Sequence, residues 1–468
     1  MSQAAINDLP VELLIEVLDH LRFNDRRTAE GVCTHWNSIL TESRYLKKTV
    51  LHLGSYISQG HNLDEIRHYP VVVIGDVTDA AVLDQIREFL FSEEVSSNLV
   101  AIHLTNFSQP MERIFEDPAG KKTLNLPKLE EIKFERCAKH SSEPNIIAPR
   151  LKCVDLISHN SHYPGDLVMP FVEQIQEMNL YTSFKVSGQL LRNAKNLRKL
   201  YLRIYGIMSP QDLEALKHAF KLVENVNIDL PGEDAIKNLP ELLQTSHNIH
   251  VLTIASSKFS INTLPSMENL QELNLLSIPA QRFTTGTHKL SLPKLWKLQT
   301  VMSTVKRFVV PNLKSLTLLG EVYTNLREPH IRHFFKQFAH QLEELDLLDL
   351  TLSKKCIRVV HSLAKLHSLM LCKVQVDEHE VGNLMDGLRS LRMARFVNCY
   401  PYTAECYYCS CAEYREFFEG LKDEYDYCGV SVTLDELECD QCMSLGAILC
   451  SFTTSYQHQR LEEMSCLS

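Results

Sequence analysis

The chain has 468 residues, with 48 lysines and arginines against 58 aspartates and glutamates, a formal net charge of −10. That length exceeds what one compact core keeps covering, so several domains or an elongated repeat array are expected, and the acidic balance argues against nucleic acid or an anionic membrane as principal partner. The longest purely aliphatic run, residues 71–74, is far too short to span a bilayer, and residues 1–10 hold no charged leader followed by an apolar stretch. A soluble protein of the cytoplasm or nucleus is expected, its fourteen cysteines held as thiols.

The first element is LPVELLIEVLDHL, residues 9–21, where Leu9, Leu13, Leu14, Val17, Leu18 and Leu21 advance by threes and fours and so share one helical stripe, widened by Val11 and Ile15. Asn7 or Asp8 is suited to cap this helix, and Pro10 falls where a first-turn proline loses no backbone hydrogen bond. Residues 23–40 supply Val32, Cys33, Trp36 and Ile39, enough to close a small helical bundle. A bundle of this size is marginal alone and carries more apolar surface than three short helices cover.

The order Leu9-Pro10, Glu12, Leu13-Leu14-Ile15, Val17-Leu18, Leu21, Asp25, Val32-Cys33 and Trp36 resembles the F-box over residues 5–45. The resemblance implies docking to a Skp-type adaptor, and through it to a cullin, by Leu9, Pro10, Leu13, Leu14, Ile15, Val17, Leu18, Leu21, Val32 and Trp36. Residues 26–31 read Arg-Arg-Thr-Ala-Glu-Gly where that motif usually carries aliphatic residues. A plain cap on the apolar edge of a repeat array is the competing role for these helices.

After residues 46–98, read as a linker and the first edge of an array, an internal repeat appears. In LEEIKFERC, Leu129, Ile132, Phe134 and Cys137 occupy the places of L-x-x-L-x-L-x-x-N/C, the leucine-rich-repeat signature. Counterparts begin at Leu151, Ile175, Leu197, Val223, Ile249, Leu270, Leu313, Leu342, Leu366 and Leu391, with weaker copies at Leu99 and Leu295. The thirteen units stand 18 to 30 residues apart, which fits this repeat class. One match is weak, since any amphipathic segment can supply it; thirteen in series point to an α/β fold. The expectation is a helical bundle followed by a leucine-rich-repeat solenoid over residues 99–399, a horseshoe with parallel strands on its concave face. Residues 209–220 and 328–339 read as return helices.

Strand alternation then lists the residues of the face opposite the core. In the first half they are mixed and charged: Glu131, Lys133 and Glu135, then Glu177, Asn179 and Tyr181, then Lys199, Tyr201 and Arg203. From Leu270 onward the last place turns apolar, with Leu276, Val301, Leu319, Leu348 and Val397. If exposed, that column would bind a protein segment as target; cover by the C-terminal tail, or plain strand formation, are the other readings.

Nine cysteines lie from Cys399 to Cys466, eight of them in a cysteine-rich cap or tail, residues 400–468. Cys406 and Cys409 with Cys439 and Cys442 form two C-x-x-C pairs able to close a tetrahedral zinc site, yet the 29 residues between them exceed the usual spacing, and free thiols are the preferred reading. Residues 413–425 read as a helix and VSVTL, residues 430–434, as a strand. No phosphate-binding glycine loop, nucleophile elbow or H-E-x-x-H is present, so no catalysis by this chain is expected. The expected role is that of a substrate receptor in an SCF-type ubiquitin ligase. A scaffold or inhibitor outside any ligase is the alternative.

Overall fold

A computed structural model describes residues 6, 9–21, 25, 28–29, 31–40, 50–60, 69–75, 77–107, 112–116, 123–137, 146–157, 165–205, 209–229, 237–256, 259–276, 289–301, 303–320, 335–352, 354–374, 376, 378–397, 399, 419–422, 425 and 430–435. They fall into two units, residues 1–258 and 259–468.

The first unit opens with a helix over Val11–Asp19. It starts at Pro10, which stands at the N-cap with no side-chain cap; the Pro10 carbonyl accepts from Leu13 and Leu14, both at 3.0 Å. A second helix runs over Thr34–Leu40. Strands follow at β1 (Val50–His52), β2 (Val71–Ile74), β3 (Ala101–Thr105), β4 (Leu124–Asn125), β5 (Glu131–Glu135), β6 (Ile146–Ile147), β7 (Cys153–Ile157), β8 (Glu177–Ser183), β9 (Lys199–Tyr205), β10 (Asn225–Asp229) and β11 (Val251–Ala255). Apart from β4 and β6, which pair with each other, they form one parallel ladder in chain order.

Parallel neighbours need a crossover, and this chain makes it in several ways. One crossover is the helix Pro210–Leu222, started by a capping box in which Ser209 and Asp212 satisfy each other's backbone donors. Others are single turns or 3-10 segments such as Met169–Gln174.

The second unit repeats the plan. Its strands are β12 (Glu272–Leu276), β13 (Leu290–Ser291), β14 (Lys297–Val301), β15 (Phe308–Val309), β16 (Ser315–Leu319), β17 (Glu344–Leu348), β18 (Ser368–Cys372), β19 (Met393–Val397) and β20 (Ser431–Asp435). Here β13 and β15 pair separately, and the rest form a parallel ladder. The ladders therefore extend beyond residues 99–399 on both sides, through β1, β2 and β20.

The repeat signature explains each rung. In β5 the burial alternates, with Ile132 and Phe134 turned to the core and Glu131, Lys133 and Glu135 to the open face. The buried pair of each rung, such as Val154 and Leu156 or Leu316 and Leu318, packs on the pairs above and below. Burying two such side chains is worth about 3–6 kcal/mol as an upper bound, obtained only when neighbouring rungs are present. That dependence is why these repeats occur in arrays.

The chain leaves several strands through a left-handed residue: Asn106, Arg136, Asp349 and Lys373 all have φ of 52–53°. In each case the backbone N–H donates to a carbonyl at the end of the next strand, as Arg136 does to Ile157 at 2.7 Å and Lys373 to Val397 at 2.7 Å. Gly320 makes the same bond to Leu348 at 2.7 Å, and a Cβ there would overlap the Asp349 carbonyl. The signature's closing cysteine sits just past this turn. Cys137 Sγ donates to the Leu104 carbonyl at 3.3 Å and Cys399 Sγ to Leu371 at 3.4 Å. Burial pushes these thiols up, to about 11 and about 12, which keeps them as neutral donors.

Candidate functional site

Two surfaces have the chemistry of a binding site. The first is the N-terminal bundle, whose opening helix is apolar on two sides for two reasons. Leu14 and Leu18, both 0% exposed, form the bundle core with Ala29, Ile39 and Leu40, and Ile15, Leu21 and Trp36 pack partly against it. The other apolar residues point outward: Leu13 is 48% exposed, Val17 41%, Val11 41% and Val32 58%. Leu13 and Val17 lie one turn apart on one line of the helix; Pro10 is exposed and Leu9 half-buried. The expected docking set thus divides. Leu14, Leu18, Ile15, Leu21 and Trp36 build the bundle, while Pro10, Leu13, Val17 and Val32 present surface, joined by Val11 and Ile6, which sequence reasoning did not include in the set. Burying one side of the bundle is what helical periodicity announces; which leucine turns inward depends on where the second helix lies.

The second surface is the open face of the ladders. In the second unit the strand-end residues Val301, Leu319, Leu348, Cys372 and Val397 are successive register partners, so the apolar column exists. The exposure on which target binding by this column was conditional is met only in part. Leu348, Cys372 and Val397 form a closed cluster with Leu319 and Met370 packed on it, and Val301 is 4% exposed; Leu276 and Leu319 keep partial exposure. Side chains about 5 Å apart on adjacent parallel strands shield one another, so the column serves cohesion of the stack.

In the first unit the open face is polar and ordered by charge. His103 Nε2 donates to Glu131 Oε1 at 2.9 Å, Lys133 stands 3.5 Å from Glu135, Lys199 3.4 Å from Glu177 and Arg203 3.0 Å from Asp229. The Arg203 guanidinium also lies over the Tyr181 ring, 4.7 Å from its centroid. The His103 hydrogen bond holds Glu131 below the usual carboxylate range. Asp155, between Lys133 and Asn179 in register, behaves in the opposite way: burial, reinforced by the charge of Glu131, pushes it up to about 7. Burial likewise raises the Cys153 thiol and the Tyr201 phenol. His103, Cys153 and Asp155 escaped the sequence reading, although strand alternation through β3 and β7 puts them on this face; desolvation, which sets their chemistry, leaves no mark in the pattern.

Cys406, Cys409, Cys439 and Cys442 lie outside the described residues, as does most of the segment read as a helix at 413–425, of which 419–422 and 425 are helical. Among the described residues no group of three or more histidines, cysteines or carboxylates is placed to hold a metal ion, and no helix is long and apolar enough to cross a membrane.

The arrangement defines ladders of parallel repeats preceded by a small helical bundle. Residues 6–51 match the family model described as F-box-like, and the rungs that follow carry the leucine-rich-repeat pattern. No curated protein sequence matches it. Among solved structures, a chain of the yeast Rad7 and Elc1 complex is 13% identical, covering 87% of this chain and 97% of that one, with a TM-score of 0.38. A chain of the mouse RP105/MD-1 complex is 14% identical over 80% of this chain and 61% of that one, with a TM-score of 0.39. A Bacteroides fragilis protein is 14% identical over 53% of this chain and 69% of that one, with a TM-score of 0.35. The fold assignment rests on the strand ladders themselves.

Proposed function

We propose that the chain is a non-catalytic substrate receptor: its N-terminal bundle docks to a Skp-type adaptor and thereby to a cullin, and the open face of its repeats holds a protein target for ubiquitination. One observation carries the reading. A segment matching the F-box-like model leaves Leu13, Val17 and Val32 at 41–58% exposure after filling its own core, an apolar surface that stays wet without a partner. The receptor's contribution is geometric, since holding a target beside a charged ubiquitin carrier raises effective concentration with no chemistry by the receptor.

The test is capture of the adaptor by the full chain against the Leu13→Asp/Val17→Asp double variant. Capture by the wild type, lost in the variant, supports the reading. A wild-type chain that takes no adaptor is a scaffold outside any ligase.

A further inference from the structure

We infer that Asp155 is the anchor of a site on the open face of the first unit that receives a lysine or arginine side chain from an extended segment of a partner protein. The inference deepens the receptor reading by naming the chemistry of the target, and it rests on that reading for its biological meaning though not for the binding itself.

The first argument is a charge left over. Across β3, β5, β8, β9 and β10 the charged residues of this face are matched within the face: His103 to Glu131, Lys133 to Glu135, Lys199 to Glu177 and Arg203 to Asp229. On β7, between β5 and β8, the Asp155 side chain has no ion pair or hydrogen bond among the described residues. It is half-buried, and its register partner Lys133 is engaged by Glu135. Glu131 and Glu177 stand in register on either side of Cys153, the next outward residue of the same strand, and both disfavour ionised Asp155, opposed in part by Lys133 and His103. A desolvated carboxylate with two others on its diagonals is an unfavourable arrangement for the free protein. A cation placed there relieves it.

The second argument concerns what surrounds the anchor. The register runs Lys133, Asp155, Asn179, Tyr201, Asn227 across five adjacent strands, a row of half-buried hydrogen-bonding side chains. At about 4.8 Å per strand the row spans roughly 19 Å, the reach of about six residues of extended chain. Tyr181, beside the row, already carries a guanidinium on its ring, so the face accommodates a cation stacked on an aromatic. A metal ion would need three or more ligating groups converging, and no such group exists among the described residues.

Protonation makes the site testable. Asp155 is pushed up to about 7, and the groups facing it are His103, Glu131 and Lys133 on the β3 and β5 side and Glu177, Lys199 and Tyr201 on the other. A partner cation requires the ionised form, whose share rises about tenfold between pH 6 and pH 8 for a group titrating near 7.

The experiment measures anisotropy of a fluorescein-labelled hexalysine peptide against the full chain, with the lysine-acetylated peptide as neutral counterpart. At pH 8, Asp155→Asn is expected to weaken hexalysine binding at least about fivefold, the gap closing to within about twofold at pH 6. Glu268→Gln, which removes one exposed charge elsewhere, should change little, and the acetylated peptide should bind neither form. Equal binding by wild type and Asp155→Asn, or an equal loss with Glu268→Gln, overturns the inference. Carbodiimide coupling of hexalysine to the wild-type chain gives an independent readout: an amide at Asp155 supports the site, while coupling confined to exposed carboxylates such as Glu268 overturns it. Adaptor capture is expected to be unchanged in Asp155→Asn, and peptide binding unchanged in Leu13→Asp/Val17→Asp, so the two readings fail separately.

Discussion

Leu13 and Leu14 are neighbours in the chain and opposite in role, and replacing each tests both the bundle and its docking surface. Leu13, Val17, Val11 and Val32 are 41–58% exposed, so each has about half its surface left to lose. Fully burying such a side chain is worth about 1.5–3 kcal/mol; completing the burial of four therefore adds about 4 kcal/mol, or roughly a thousandfold in affinity. The Leu13→Asp/Val17→Asp variant forfeits half of that and forces two carboxylates against an apolar partner, so adaptor capture should fall at least about a hundredfold. The melting temperature and circular dichroism of the variant should match the wild type, because neither side chain fills the core. Leu14→Ala should do the reverse: Leu14 is 0% exposed, and the cavity should cost about 2–5 kcal/mol, seen as loss of the bundle. Titration of the adaptor against the three chains by calorimetry reads the affinities directly. Wild-type affinity in a correctly folded Leu13→Asp/Val17→Asp chain would refute the division of the helix into a core side and a docking side.

Three further outcomes follow from single contacts. Asp155 titrates near 7 in the folded chain against an ordinary value of 3.8, so the fold keeps a proton that the unfolded chain gives up; its contribution to stability is lost as pH rises from about 4 to about 7. Asp155→Asn should accordingly stabilise the protein at pH 8, by at most about 4 kcal/mol, and leave it unchanged near pH 3.5, as chemical denaturation at the two pH values will show. Leu348→Ala opens a hole in the closed cluster with Cys372 and Val397, at a cost of about 2–4 kcal/mol in the urea midpoint, where an exposed column would have lost almost nothing. Gly387→Ala would set a Cβ 2.5 Å from the His361 ring, and thermal melts should register about 1–3 kcal/mol of overpacking.

The rungs were legible because their physics is local. A residue that must face the core recurs at fixed places, and Leu129, Ile132 and Phe134 announce a strand and its inward side before any neighbour is considered. The strand β2 was less legible, for Val71 to Ile74 are apolar at every place and all four are buried, which removes the alternation that marks an open face. The F-box-like order was readable residue by residue, yet the choice between Leu13 and Leu14 was not, since both belong to one broad apolar face until the second helix takes its place.

What the chain by itself determined is therefore the repeating rung, its period and its inward pair, both consequences of backbone geometry and side-chain volume within one unit. Only the tertiary structure decided which apolar residues remain wet and which carboxylate is left without a cation. Exposure and electrostatic potential are sums over neighbours drawn from different repeats, and no single stretch of sequence contains those sums.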